Sequence, residues 1–149
     1  MAADAPTLGF DRERALAAGL DVRPSQVPGA GDGLWTTRAF AAGEVLCEYR
    51  GRVLSLAAVL RMSVRERDYV MGGFGLNAHV DGRLDPNMLG RYVNDHGDAS
   101  MLNAEFHKLQ PERRALVRAL RPLVAGEEVF ASYGEGYWRA RGAPDGRPS

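Results

Sequence analysis

Hydrophobic and polar positions along this 149-residue chain form short β-prone segments that are separated by glycine-centred turns. Segments of this kind, rich in β-branched and aromatic residues, predict strands. Many short strands at such close spacing indicate a compact and mostly β fold. The predicted strands cover residues 34–40, 44–51, 68–75, 102–109 and 128–134.

Two segments follow the helical period instead. Apolar residues recur at helical spacing in residues 55–68, and Ser55 stands where an N-cap is preferred, so this segment predicts one internal helix. Residues 11–20 predict one or two further helical turns, which Gly19 ends. We therefore expect one or two short helices beside the strands.

The segment 113–120 permits two interpretations. Pro111 and the Ala, Leu and Arg content favour a helix, whereas the sequence ALVRAL also fits a half-buried strand. Residues 38–45 and 121–129 share a pattern, in which an apolar segment passes through a glycine turn into a β-prone one. This similarity indicates two equivalent hairpin-like turns, each leading into a strand. It therefore favours a strand for residues 113–120.

The length of the chain is typical of one domain. Residues 1–21 have the character of an N-terminal extension, and residues 139–149 have the Gly, Pro and polar content of a flexible tail. The folded unit is therefore expected over residues 22–138. Hydrophobic residues make up 45% of the chain and charged residues 26%, which is close to the globular average.

The charge balance and the cysteine content exclude several classes of function. Nineteen basic residues balance nineteen acidic ones, so the chain has no global electrostatic attraction to nucleic acid or to anionic lipid. One cysteine, Cys47, excludes an intrachain disulfide and a Cys-cluster zinc site, and the three histidines are too scattered for a local metal motif. The apolar stretch 54–60 is too short for a membrane span. We expect a soluble intracellular protein without a metal.

Three separated segments point to one family when they are taken in order. They are PGAGDGLWTTRAFAAGEVLCEYRG at 28–51, NMLGRYVNDHGDASMLNAEF at 87–106 and RPLVAGEEVFASYGEGYW at 121–138. Together they resemble the SET-domain protein-lysine methyltransferases, in a small form without the Cys-rich segment that many members carry after the core. The resemblance implies a mostly β fold of the β-clip (SET) type. Its small curved sheets accompany a pseudoknot-like threading of the C-terminal segment near Asn94.

The first segment resembles the family's G-x-G signature, with Gly31 and Gly33 at the glycine positions. Glycine allows the backbone to approach a ligand closely. The resemblance implies that this loop binds S-adenosylmethionine. Taken alone, a G-x-G motif is more often an ordinary turn between strands. The implied cofactor-binding residues are Gly31, Asp32, Gly33, Leu34 and Trp35.

The second segment is similar to R-F-I-N-H-S, with residues 91–94 matching in type and Asp81 matching an upstream acidic position. The resemblance implies that Asn94 and the main chain of Asp95 contact the cofactor. The sequence departs from the usual pattern, because Asp95 stands where His is usual and His96 where Ser is usual. The alternatives are a hydrogen-bonded turn for residues 94 and 95 and an exposed loop position for His96.

The third segment resembles G-E-E-L-x-x-x-Y-G and places Tyr133 at the family's catalytic tyrosine, which also borders the cofactor. Tyr49 matches a second tyrosine, with a catalytic and channel-lining role, and Tyr69 is a third channel candidate by position. Ala131, two residues before Tyr133, stands where some relatives place a ring that limits the degree of methylation. A tyrosine taken alone is more often a core or interface aromatic.

Two aromatic residues, Tyr137 and Trp138, are available to complete the site in place of the Cys-rich segment. We expect them to stack on the adenine of the cofactor or to cover the mouth of the channel. The alternative is that Trp138 only anchors the last turn to the core.

The resemblance implies an S-adenosylmethionine-dependent protein-lysine N-methyltransferase that needs no metal. Its partner is a protein with a target lysine, for which a histone tail is one candidate. The nucleus is then one candidate location, and a homodimer is compatible with so small a unit. Two alternatives remain open: a catalytically inactive SET-like protein-binding module, and a structural or carbohydrate-associated β-clip protein.

Overall fold

Three small antiparallel sheets carry the fold of residues 9–142, the part of the chain that the computed structural model describes. The first sheet pairs β1 with β2, the second has the order β3-β8-β7, and the third has the order β4-β6-β5. The strands are β1 (Leu20–Pro24), β2 (Asp32–Thr36), β3 (Val45–Tyr49), β4 (Arg52–Leu54), β5 (Val70–Met71), β6 (His79–Asp81), β7 (Ala104–Leu109) and β8 (Arg114–Ala119).

The helices are all short. Three 3-10 turns occupy Leu89–Tyr92, Ala99–Met101 and Gln110–Glu112. No helix within residues 9–142 has the length and apolar character that crossing a membrane requires. The α-helices are α1 (Arg12–Ala17), α2 (Leu56–Leu60), α3 (Val64–Arg67) and α4 (Glu135–Arg139).

The helix predicted near the N-terminus is confirmed as α1. The side chain of Asp11 caps it by accepting a hydrogen bond from the backbone N–H of Arg14. Gly19 ends it with a φ of 82°, a left-handed conformation that glycine adopts without strain. Beyond it, Leu20 on β1 is fully buried in the main core.

The ambiguous segment 113–120 is a strand, as the similarity between residues 38–45 and 121–129 favoured. β8 lies between β3 and β7 and pairs with both. Its burial alternates, with Ala115, Val117 and Ala119 facing the interior. The two flanking strands form hydrogen bonds with the backbone of β8 on both of its sides. This tertiary pairing outweighs the helical propensity of its residues.

The internal helix predicted over residues 55–68 is wrong as a single element. It divides into α2 and α3, because Ser63 starts a new helix through a capping box. The Ser63 hydroxyl accepts from the backbone N–H of Glu66, and the Glu66 carboxylate accepts from the backbone N–H of Ser63.

Three of the predicted strands also differ from the structure. β2 ends at Thr36, before the expected limit at Phe40, which forms only an isolated bridge to Leu123. The strand expected over residues 68–75 is reduced to β5. The strand expected over residues 128–134 consists of isolated bridges, because much of its hydrogen bonding goes to asparagine residues rather than to a strand ladder.

The segment that contains Glu128 and Phe130 lies directly beside Asn94. Asn94 and Phe130 form a parallel bridge. Asn103 holds the same segment from another side, since its Nδ2 donates to the Glu128 carbonyl at 2.8 Å and its Oδ1 accepts from the Phe130 N–H at 2.8 Å. Residues far apart in sequence are thereby fixed in one place.

Two hydrophobic clusters form the core. The larger includes Leu20, Leu34, Val117 and Val129, and the smaller surrounds Tyr49. Phe106 on β7 packs against both clusters, so β7 joins them. The parts of the proposed N-terminal extension and C-terminal tail that fall in residues 1–8 and 143–149 lie outside the described residues.

Candidate active site

Tyr133 is the central residue of the candidate site. It lies between the segment that follows Asn94 and the start of α4. Its hydroxyl donates a hydrogen bond of 2.6 Å to the carbonyl of Val93 and lies 3.5 Å from Asn94 Oδ1. Burial, with smaller contributions from Tyr137 and Asp95, raises the pKa of Tyr133 well above its ordinary value. The phenol therefore stays protonated and neutral.

Tyr49 faces Tyr133 across Phe106. It is the last residue of β3, is almost fully buried, and donates its hydroxyl proton to the carbonyl of Tyr69. Burial raises the pKa of Tyr49 as well. The Tyr49 and Phe106 rings meet edge to face at 6.0 Å, and the Phe106 and Tyr133 rings are 6.4 Å apart. The three rings form a continuous aromatic wall.

A pocket of about 210 Å³ opens along this wall. Aromatic and aliphatic side chains make up more than half of its lining residues, so the pocket suits the aliphatic part of a side chain. Burial raises the pKa of Tyr137 to about 12, so this phenol is also neutral at ordinary pH. Its apolar and aromatic lining comprises Tyr49, Val70, Met71, Phe106, Tyr133 and Tyr137.

Two charged side chains also line the pocket, Asp68 and Lys108. Arg141 donates to Asp68 Oδ1 through Nε at 3.1 Å and Nη2 at 2.7 Å, which neutralises that carboxylate. Lys108 donates to the carbonyl of Gly72 at 2.5 Å. Lys108 is exposed as a residue, and local desolvation of its ammonium lowers the pKa of Lys108.

The glycine-rich segment lies against Asn94. Gly31 has a φ of 73°, and its carbonyl accepts from the Ser25 N–H at 2.8 Å. The Asp32 carbonyl accepts from Asn94 Nδ2 at 2.9 Å. The Asp32 carboxylate is largely buried, which raises its pKa, and its Oδ2 has no hydrogen-bond partner among residues 9–142.

Glu128 ties this segment to Asn94. Its buried carboxylate accepts from Ser25 Oγ at 2.6 Å and from the Gln26 N–H at 2.8 Å, and it lies 3.5 Å from Asn94 Nδ2. A Cβ at position 33 would lie 2.5 Å from Glu128 Oε2, so Gly33 leaves the room that this carboxylate occupies. Glu128 therefore holds the glycine-rich segment and the asparagine in one arrangement.

Asp95 ties Tyr133 to Trp138. One carboxylate oxygen accepts from the Tyr133 N–H at 3.0 Å and from Trp138 Nε1 at 2.9 Å, and the other accepts from the Gly97 N–H at 3.0 Å. The Trp138 ring stacks on the Tyr133 ring, with centroids 5.9 Å apart and planes 17° apart. Trp138 thus supports Tyr133 from the side of α4.

Residues 31–134 match the protein family described as SET domain, and the match covers more than half of the chain. The chain belongs to the SET-domain family. It is also similar to the N-lysine methyltransferase KMT5A-A of Xenopus laevis, with 23% identity over 138 residues. That alignment covers 85% of this chain and 39% of the relative, so the chain spans about two fifths of the relative's length.

The remaining predicted residues of this SET domain lie around the same region. Leu34 is fully buried, and its carbonyl accepts from the Val129 N–H at 2.7 Å. Ala131 is buried in the main core and donates its N–H to the Asn94 carbonyl at 3.0 Å. The Tyr69 ring lies 5.0 Å from the guanidinium of Arg91, and its carbonyl receives the Tyr49 hydroxyl.

Four buried polar side-chain atoms of the first two matched segments lack hydrogen-bond partners within residues 9–142. They are Asp32 Oδ2, Trp35 Nε1, Arg91 Nε and His96 Nδ1. His96 is half-buried and packs edge to face on Phe130 at 5.0 Å, so it is not an exposed loop residue.

Phe106, Lys108 and Glu128 also belong to the site and were not predicted from the sequence. Strict alternation along the predicted strand 102–109 places positions 106 and 108 on one face, and this signal identifies them as neighbours. Glu128 offered no signal, since its neighbour Glu127 has the same side chain and pairs with Arg121 at the surface. Among residues 9–142, no three side chains of the His, Cys, Asp or Glu type gather in a metal-binding group.

Proposed function

We propose that this SET domain transfers a methyl group from S-adenosylmethionine to the ε-amine of a lysine in a protein substrate. The observation that carries the proposal is the double contact of Tyr133. Its hydroxyl is hydrogen-bonded to the main chain beside Asn94, while its ring lines the narrow pocket opposite Tyr49. The name of the Xenopus laevis relative, an N-lysine methyltransferase, supports the same class of reaction.

The side chain of Asp32, whose carbonyl accepts from Asn94, suits the ammonium group of S-adenosylmethionine, because its buried Oδ2 has no hydrogen-bond partner within residues 9–142. We propose that the glycine-rich segment holds the cofactor together with Asn94 and the main chain of Asp95. When bound, the cofactor supplies a methyl group that is activated by its attachment to a sulfonium.

The aromatic pocket accounts for how the amine becomes reactive. A lysine with an ordinary pKa of about 10.4 is almost wholly protonated at neutral pH. Transfer into a narrow pocket desolvates the ammonium and lowers its pKa, which favours the free amine. The Tyr49, Phe106 and Tyr133 rings pack against the aliphatic part of the side chain.

Tyr133 has a defined part in orienting that amine. A phenol hydroxyl can accept as well as donate, and we propose that its oxygen accepts from an amine N–H while its proton is donated to the Val93 carbonyl. An amine N–H that donates to this oxygen turns the nitrogen lone pair away from Tyr133. Tyr49, whose proton goes to Tyr69, offers the same kind of acceptor at the opposite wall.

Two features of the architecture belong to the same proposal. We propose that the segment through Phe130 passes beneath the loop that carries Asn94, in the pseudoknot-like manner that the family resemblance implies. The parallel bridge of these two residues and the Asn103 hydrogen bonds support it. We also propose that residues 22–138 form the SET unit, with an extension before it and a tail after it.

A catalytically inactive binding module is the second candidate, and the unusual residues at positions 95 and 96 favour it. Calorimetric titration with S-adenosylmethionine, followed by incubation with lysine peptides, separates the two functions. Binding followed by methyl transfer supports the enzyme. Binding without transfer supports the module, and the absence of binding contradicts the proposed cofactor site.

A further inference from the structure

Lys108 is the only lysine of the chain, and it stands in the wall of the pocket that receives the target lysine in our proposal. It follows Phe106 by two positions on β7, so both side chains project from the same face of the strand. Its Nζ donates to the Gly72 carbonyl at 2.5 Å and lies 5.7 Å from the centre of the Phe74 ring. Lys108 therefore borders the pocket, and its ammonium is held at the adjoining loop that carries Gly72.

The loop at residues 72–73 holds this ammonium in place. Gly73 has a φ of +94°, and a Cβ at this position would lie 2.5 Å from Lys108 Nζ. Gln110 Nε2 donates to the Gly73 carbonyl at 3.0 Å and fixes the loop. A lysine held in this way has already lost much of its rotamer freedom, so a new ion pair costs less entropy.

The positive charge of Lys108 is not compensated within the pocket. Asp68, the other charged residue of the lining, is neutralised by Arg141. In the part of the chain that the structure describes, Lys108 forms no ion pair with a carboxylate. An ammonium has three donor hydrogens, and the Gly72 carbonyl accepts one of them. Lys108 thus has hydrogens to offer an incoming acceptor.

We infer that Lys108 selects substrates in which an acidic side chain flanks the target lysine. A space of 210 Å³ is roughly 7 Å across if spherical, which is within one Debye length at physiological salt. Lys108 therefore repels the incoming lysine ammonium, and a flanking carboxylate that pairs with Lys108 removes that repulsion. A flanking arginine adds to it. The inference rests on the proposed function and favours acidic-flanked sites over highly basic tails.

The test measures the binding of labelled peptides by fluorescence anisotropy, with S-adenosylhomocysteine present, so that no turnover occurs. The peptides share one sequence around a lysine and differ only in having Glu, Gln or Arg on both sides of it. We expect the protein to prefer the Glu peptide over the Gln peptide by about fivefold, with the Arg peptide weakest. Lys108→Arg keeps this order, Lys108→Met removes it, and Lys108→Glu makes the Arg peptide the tightest. Thermal unfolding confirms that each variant is folded.

Equal affinity for the three peptides, a preference for the Arg peptide, or an unchanged order in Lys108→Glu overturns the inference. Failure of all three peptides to bind also overturns it. The proposed function is tested separately by adding S-adenosylmethionine. Charge-dependent binding without methyl transfer contradicts the proposed function alone, whereas transfer that ignores the flanking charge contradicts the role of Lys108 alone.

Discussion

The Asp95 carboxylate accepts a hydrogen bond of 2.9 Å from the indole Nε1 of Trp138. The same oxygen accepts from the backbone N–H of Tyr133, so Asp95 fixes the position of the tyrosine and of the ring stacked on it. Asp95 is one of the residues that depart from the usual family pattern. Its contacts indicate that the departure supplies an anchor for α4 beside the site.

Replacing this anchor is expected to destabilise the protein. Asp95→Ala leaves the N–H groups of Tyr133 and Gly97 and the indole of Trp138 without their acceptor, and we expect a loss of about 2 kcal/mol in the free energy of unfolding. Trp138→Phe removes the indole donor and part of the ring surface that packs on Tyr133, and it should cost about 1–2 kcal/mol. Urea denaturation measures both changes. Equal stability of Asp95→Ala and the wild type would contradict the anchoring role.

The Tyr133 hydroxyl is expected to act in turnover more than in folding. In Tyr133→Phe the amine loses its acceptor, and we expect kcat to fall on the order of 100-fold with unchanged affinity for S-adenosylmethionine. Tyr92→Phe is the matched control, because the buried Tyr92 hydroxyl donates at 2.7 Å to the Pro86 carbonyl. The control should lose stability but keep its turnover. Full activity of Tyr133→Phe would refute this assignment.

Glu128 is expected to support both stability and cofactor binding. In Glu128→Gln one carboxylate oxygen becomes an NH₂ group, which then faces a donor, Gln26 N–H or Asn94 Nδ2, whichever way the amide is turned. We expect a loss of about 1–3 kcal/mol in unfolding free energy and weaker binding of S-adenosylmethionine. Glu127→Gln, a surface change at the adjacent position, is the control for cofactor binding. If calorimetry gave the same cofactor affinity for both variants, Glu128 would have no positioning role.

Asp32 gives a prediction about pH. Burial raises its pKa in the folded protein, so folding disfavours the carboxylate, and the wild type loses stability as the pH rises through that raised pKa. Asp32→Asn lacks this loss. We expect the stability of the variant relative to the wild type to increase from acidic pH towards neutral pH, while its affinity for S-adenosylmethionine decreases. Denaturation curves at several pH values measure the first effect, and a difference that stays constant with pH would contradict it.

β-prone local composition predicted two strands of the second sheet. Residues 44–51 and 102–109 contain β3 and β7, which flank the long central strand of their sheet. β4 and β6 are only three residues long and exist because they pair with each other, as Arg52 does with Asp81. Such pairing between distant segments leaves no local trace. The division between α2 and α3 did leave one, the S-x-x-E sequence at Ser63.

The candidate site could be predicted as far as its motifs extend. The glycine-rich segment, Asn94 and Tyr133 lie together, as the family resemblance implied. Lys108 borders the pocket because β7 runs past both hydrophobic clusters. Glu128 is buried because Gly33 has no side chain to occupy the same space and because Ser25 donates a hydrogen bond to its carboxylate. These contacts depend on the packing of distant segments, which no local pattern encodes.

The most direct test of the account is mass spectrometry of lysine peptides and histones after incubation with isotopically labelled S-adenosylmethionine. We predict labelled methyl groups on the ε-amine of lysine with the wild type and far fewer with Tyr133→Phe. Cofactor binding without labelled lysine in any acidic-flanked, neutral or basic substrate would contradict the central claim.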